Sequence, residues 1–168
     1  MASTNLTKTF SSSGNTKLFT LSTWVKLSAS SNQQILLAAT GSSIGFSGGG
    51  GNEGQIFIYE NDGVERPYVG WSPLLRDYSA WYHIVVAMDT TQATASDRVK
   101  LYMNGEQITS TFTATYPNQD ETTRFNSNIQ HYIGSSQTPN QYLDGSLAHF
   151  HWIDGTAYAA STFGETDS

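Results

Sequence analysis

At 168 residues with a formal net charge of −6, the chain has the length of one domain, enough to bury roughly two thirds of its unfolded surface in a single core. Its eight Lys and Arg are scattered as single residues; no basic stripe is present to neutralise a phosphate backbone, so nucleic acid is not expected as a partner. Aromatic residues make up 12% against 13% charged, with no cysteine, a composition that suits an all-β protein with a polar, uncharged surface and leaves no disulfide, thiolate or Cys-based zinc site to consider.

The opening "MASTNLTKTFSSSGN" lacks a basic region followed by an apolar core, so no secretory signal is expected in this stretch. From Phe19 to Leu27 the apolar Phe19, Leu21, Val25 and Leu27 fall on one face of a strand and Trp24 on the other. Strands are next expected at Gln34 to Ala39 and Ser43 to Phe46. The tract Gly48 to Gly51 follows, read as a loop because neither a Lys nor a helix comes after it to make a phosphate cradle. A strand from Gln55 to Glu60 runs into Asn61-Asp62-Gly63, a turn signal.

Pro73 to Trp81 is expected to hold one short helical turn, with Pro at a permitted early position. Trp81 to Met88 is apolar on both faces and reads as a central strand. Its run Ile84-Val85-Val86-Ala87-Met88 is far short of the roughly 20 apolar residues a spanning helix needs, so membrane insertion is not expected. Asp89 to Asp97 is a polar connection. In Val99 to Ile108 the pair Asn104-Gly105 predicts a type I′ hairpin with Leu101 opposite Ile108. Ser110 to Asn128 reads as a long loop with at most an edge strand. His131 to Gly134 and Leu147 to Ile153 are the last strands, the second with Ala148, Phe150 and Trp152 on one face and His149 and His151 on the other. The fold class that follows is all-β, an antiparallel two-sheet sandwich.

Four sets of residues could carry chemistry. Glu60, Asp62 and Glu65 match the E-x-D-x-x-E pattern of laminarinase-type glycosidases, which need two carboxylates about 5 Å apart on a rigid surface. The Asn-Asp-Gly turn breaks that surface. A two-residue loop would set Glu60 against Glu65, whereas a three-residue loop, Asn61 to Gly63, pairs Glu60 with Val64; the second is preferred, and "ENDGVE" is read as a solvent-facing turn. No catalytic residue is assigned, and no Gly-x-Ser-x-Gly elbow presents a serine. His149 and His151 point to one side and could orient a sugar hydroxyl or hold a metal, or simply be two polar residues on an outer face. His83 is expected to hydrogen-bond within the sandwich.

For calcium, Asp89 and Asp97 bracket one loop and are the candidate ligands, while Asp144 and Asp154 precede glycines and read as turn residues. For sugar, an aromatic plate with nearby amides and carboxylates is the usual arrangement. Tyr59, Tyr68, Trp71 and Tyr78 cluster in sequence, and Tyr68 and Trp71, in the loop-like "RPYVGWSP", are the first exposed candidates. Trp24 and Trp152 are assigned to packing.

The segments "KTFSSSGNTKLFTLSTWVKLS", "SAWYHIVVAMDTTQATASDRVKLYMNGEQI" and "HYIGSSQTPNQYLDGSLAHFHWIDGTAYAASTFGE" resemble the laminin G-like, concanavalin A-like jelly-roll modules of structural proteins from marine bacteriophages and large algal viruses. The resemblance covers nearly the whole chain and is weakest between Ala39 and Arg76. It implies a jelly roll that binds glycans on a concave sheet or at the loop rim, commonly with calcium. It also implies one domain, 1–168, excised from a longer chain, since such modules sit within longer chains and "FGETDS" breaks off where those continue. The function expected is a non-catalytic glycan-binding or adhesion module on a virion surface or outside the cell, with a host-surface polysaccharide and other virion proteins as partners. A purely structural decoration domain and a laminarinase-type glycosidase are the alternatives.

Overall fold

A computed structural model describes residues 4–28, 32–61, 67–137 and 141–164. In chain order the strands are β1 (Leu6–Thr9), β2 (Leu18–Leu27), β3 (Gln34–Ala39), β4 (Ser42–Phe46), β5 (Gln55–Tyr59) and β6 (Tyr68–Leu74), then β7 (Tyr82–Asp89), β8 (Val99–Met103), β9 (Glu106–Ile108), β10 (Thr111–Thr115), β11 (Gln130–Ile133) and β12 (Gly145–Asp154). They form two antiparallel sheets: seven strands in the order β1-β11-β3-β4-β5-β6-β10 and five in the order β12-β2-β7-β8-β9. The all-β, two-sheet jelly-roll expectation holds.

Alternation builds the core. Phe19, Leu21 and Val25 of β2, Ile84, Val86 and Met88 of β7, and Leu101 of β8 meet Leu36, Ile44, Ile56, Ile58, Val69 and Trp71 of the larger sheet in one apolar cluster. Each fully buried side chain of this size contributes about 1.5–3 kcal/mol. β7 lies at the centre of its sheet, as its two apolar faces predict. The Asn104-Gly105 hairpin is present: both residues have positive φ, 51° and 90°, and Leu101 sits opposite Ile108.

Several expectations are corrected. Pro73 to Trp81 forms no helical turn: β6 runs through Pro73 to Leu74, which pairs with Gln55. Asp77 then closes a tight turn by accepting from the Ser79 amide at 2.8 Å and hydroxyl at 2.6 Å. The "ENDGVE" hairpin has neither of the short loops considered. Tyr59 pairs with Tyr68 and the Glu60 amide donates to the Pro67 carbonyl at 3.0 Å, so the connection is residues 61–66; Asp62 and Glu65 lie outside the described residues.

In β12, one extra residue between Ala148 and His151 breaks the pairing with β2, and His149 takes φ 49°. Ala148 therefore lies opposite Trp24 on the outer face instead of sharing the inner side with Phe150 and Trp152. Trp152 does pack inside, stacked on Phe19 at 4.5 Å. Trp24 does not: it is 40% exposed on the outer face of the five-stranded sheet.

Candidate functional site

The outer face of the seven-stranded sheet carries one row of side chains that crosses every strand. Successive cross-strand pairs link Thr7 to Tyr132, Tyr132 to Ala38, Ala38 to Ser43, Ser43 to Tyr59, Tyr59 to Tyr68 and Tyr68 to Thr115. None of these residues is charged. The two tyrosines meet edge to face at 6.2 Å, and Tyr68 also contacts Phe57 at 5.8 Å and Phe112 at 6.2 Å. Gly70 sits on the same face under Phe112, where an added Cβ would come within 2.3 Å of the ring. The glycine thus leaves room for the Phe112 ring over β6, beside Tyr68.

Two hollows flank the tyrosines. One, of about 360 Å³, lies over Ala38, Ser43 and Tyr59 and is bordered by Gln33, Ser136 and Gln141. The other, of about 190 Å³, lies between Tyr68 and the glycine-rich loop at Ser47, Gly48 and Asn52, with Gln33 again on its border. Gln141 donates its side-chain amide to Gln33 at 2.7 Å, which fixes the orientation of Gln33 between the hollows. Aromatic faces beside fixed amides and hydroxyls are the components that grip a pyranose: rings for its C–H face, polar groups for its hydroxyls.

The expected site residues do not form one site: Tyr59 meets Tyr68 and His149 meets His151, on different sheets. Tyr59 and Tyr68 are half-buried on this face. Trp71, expected to be exposed, is 2% exposed and belongs to the core. The reason is parity: Tyr68 and Trp71 are three apart on one strand and so point to opposite sides. Tyr78 lies on the turn after β6. His149 and His151 are on the outer face of the other sheet, ring centroids 6.5 Å apart.

That second face is a mixed patch. Phe163 packs against His151 and His83, each at 6.2 Å, and the exposed Trp24 stacks on His83 at 5.1 Å. His83 is within 3.0 Å of the Ser22 hydroxyl. Its pKa is held below the ordinary value, first by burial and then by the neighbouring His151. Among the described residues no three His, Asp or Glu side chains converge in a way that could hold a metal ion.

Asp89 and Asp97 each have protein partners. Asp89 accepts from the Thr91 amide and hydroxyl at 3.0 and 2.6 Å and from Gln92 at 2.6 Å. Burial pushes its pKa up, but these hydrogen bonds outweigh burial and leave it below the usual carboxylate range. Asp97 pairs with Lys100 at 3.0 Å. Asp89 holds its own loop in shape, and Asp97 ties its turn to β8.

Glu60, expected on a solvent-facing turn, is 2% exposed. Its carboxyl oxygens accept from the Arg124 amide at 3.1 and 3.2 Å. Burial, opposed by that amide and by Ser42, raises its pKa to about 7. The sequence signal for this was available: Ile56, Ile58 and Glu60 share one side of β5, and both isoleucines are core. Held inside the sandwich, Glu60 is not presented to a cleft as a glycosidase acid must be.

Solved structures of similar fold place these features in context. The chain superposes on the CBM40 module of the Ruminococcus gnavus IT-sialidase with TM-score 0.61 at 13% identity, covering 98% of this chain and 100% of that one; the same module has been solved with α2,3- and α2,6-sialyllactose. A candidate carbohydrate binding protein from Bacteroides ovatus matches at TM-score 0.60 and 16% identity, over 92% of this chain and 42% of its own. Domain 4 of a GH43 extracellular arabinanase from Geobacillus stearothermophilus, solved with arabinotriose, matches at 0.56 and 17% identity, over 88% and 64%. The chain thus spans less than two thirds of the length of these last two. No curated protein matches the sequence. The family model for the concanavalin A-like lectin/glucanases superfamily, of the laminin G type, matches residues 3–161, and the chain belongs to that family.

Proposed function

We propose that the protein is a non-catalytic carbohydrate-binding module that takes a neutral, hydroxyl-rich oligosaccharide across the outer face of its seven-stranded sheet. The observation that carries this reading is the uncharged row through Ser43, Tyr59 and Tyr68, with Gln33 held between two hollows beside it. The absence of a cation in that row favours neutral sugars over sialylated or sulfated ones. The motifs shared with viral jelly-roll modules support a place on a virion surface or another extracellular structure, with host-surface polysaccharide as ligand and other virion proteins as neighbours.

The test is a thermal-shift and calorimetric series with neutral and acidic oligosaccharides, in calcium and in EDTA. A native-state ligand raises the melting temperature by mass action, so weak sugars register at millimolar concentration. Neutral oligosaccharides are expected to bind, Tyr59→Ala and Tyr68→Ala each to weaken binding about tenfold, and His149→Ala and His151→Ala to leave it unchanged. No response to any glycan, or loss of binding only in the histidine variants, refutes the assignment.

One observation favours a second reading, a decoration domain that contacts another virion protein. Trp24 and Trp81 stand 40% and 42% exposed beside the hollow at His83 and Phe163, and exposed aromatic clusters mark protein interfaces. Self-association measured by sedimentation, lost in Trp24→Ser, would support that reading; a monomer at all concentrations with firm glycan binding would remove it.

A further inference from the structure

The outer face of the five-stranded sheet carries a hollow of about 320 Å³. Trp24 of β2, Trp81 and His83 around the start of β7, and Asn104 of the β8–β9 turn line it, together with Ala160 and Phe163 of the C-terminal segment. His149 and His151 belong to the neighbouring hollow, which shares Trp24, His83 and Phe163 with this one. A ligand beside Asn104 therefore has Phe163 as a wall and does not have to displace it.

The lining is both accessible and held in place. Trp24 and Trp81 are 40% and 42% exposed. Trp24 pairs with His83 across β2 and β7, and their rings stack at 5.1 Å. Asn104 is tied to His83 twice: its backbone amide donates to the His83 carbonyl at 2.9 Å, and its Oδ1 accepts from the His83 amide at 2.9 Å. A backbone N–H only donates, so the side-chain atom facing it is the oxygen, and Nδ2 is left as a donor. Asn104 is exposed, and among the described residues nothing accepts from that Nδ2. The wall holds no Lys, Arg, Asp or Glu. Burial and the neighbouring His151 keep the His83 pKa below its ordinary value, so its ring is neutral at neutral pH. An anion finds no cation here and a cation finds no carboxylate. Two accessible indoles beside one free amide donor suit a neutral ligand with an apolar C–H face and hydroxyl acceptors. The volume lies at the small end of ligand pockets, which suits one sugar ring rather than a chain.

We propose that this hollow is a second carbohydrate site, for a single neutral pyranose residue, on the sheet opposite the tyrosine face. The C–H face of the sugar packs against the exposed indoles of Trp24 and Trp81, and a hydroxyl oxygen accepts from Nδ2 of Asn104. The site does not rest on the tyrosine face, and either can bind sugar where the other does not.

Methyl β-glucopyranoside, methyl α-mannopyranoside and methyl β-galactopyranoside, with glycerol as a ringless control, are titrated into the intact protein while the four indole N–H resonances are followed. At least one glycoside is expected to move Trp24 and Trp81 to saturation, while Trp71, a core residue, and Trp152, stacked on Phe19, stay still. Glycerol is expected to move none of them. The response should persist when Tyr59→Ala and Tyr68→Ala are combined, which separates this site from the tyrosine face. Trp81→Ala, read on the Trp24 resonance, should weaken it about three- to tenfold. If that variant does not fold, the glycerol control and the tyrosine variant decide. No movement of the pair with any glycoside, equal movement with glycerol, loss of the response in the tyrosine variant, or full affinity in Trp81→Ala overturns the proposal. So do indole resonances that move with protein concentration and not with sugar, which give the patch to a second copy of the chain.

Discussion

The buried Glu60 makes the fold sensitive to pH in a calculable way. In the unfolded chain its carboxyl titrates near the ordinary 4.5; in the native state burial raises this to about 7. Between those values the native state holds a proton that the unfolded chain has lost, so the stability this group contributes is full below 4.5 and falls as pH rises towards 7. At about 1.4 kcal/mol per pH unit, the interval corresponds to about 3 kcal/mol. Glu60→Gln removes the titration and keeps a carbonyl to accept from the Arg124 amide, which now binds the carboxyl at 3.1 and 3.2 Å. Urea unfolding of both proteins from pH 4 to pH 8 is the assay. Subtracting one profile from the other cancels every other titrating group, and the advantage of glutamine over glutamate is expected to grow by about 3 kcal/mol across the range. A difference that stays flat, or that shrinks as pH rises, refutes the argument and returns Glu60 to solvent.

Other outcomes follow from the same geometry. Trp71→Ala is expected to cost about 3–5 kcal/mol in urea unfolding, since the ring is core; a cost below about 1 kcal/mol would put it back on the surface. Gly70→Ala is expected to cost about 1–3 kcal/mol and to weaken sugar binding, because the new methyl must push Phe112 off the sheet against Tyr68; unchanged stability and affinity would show that Phe112 has another seat. Melting curves in calcium and in EDTA are expected to superimpose, given that Asp89 bonds within its own loop and Asp97 pairs with Lys100 of β8. A calcium-dependent rise abolished by Asp89→Asn would establish an ion there.

The parts of the fold that were legible in the sequence are those governed by a two-residue period or by a turn with one solution. The strand from Phe19 shows its inner face directly, the two apolar faces of Trp81 to Met88 mark a central strand, and Asn104-Gly105 sets its own register. β1 was not legible, because Leu6 to Thr9 is exposed at every position and has no buried face to mark it. Trp71 and Glu60 were misplaced for one shared reason. Prolines at 67 and 73 give "RPYVGWSP" the pattern of a loop, and Asn-Asp-Gly directly after Glu60 marks the end of its strand as a solvent-facing turn. Once β5 and β6 pair through Tyr59 and Tyr68, parity sends both side chains inward. The bulge at His149 had no comparable signal, since positive φ at histidine is set by the pairing of β12 with β2 and not by local sequence.

The same parity argument decides which candidates can act together. The tyrosines at 59 and 68 and the histidines at 149 and 151 lie on the outer faces of opposite sheets, separated by the full thickness of the core, so one ligand cannot touch both sets. The two faces also differ in kind. Phe163 already packs on His83 and His151, and the Thr20 hydroxyl anchors that segment by donating to the Thr156 carbonyl and accepting from the Tyr158 amide. A ligand at the histidines must therefore compete with the protein's own chain. At Tyr59 and Tyr68 the described residues place no segment across the row, and the Tyr68 ring is flanked on that face by Phe57 and Phe112. Preorganised rings cost little entropy to engage, and for that reason the tyrosine face, rather than the histidine pair, is where binding should be sought.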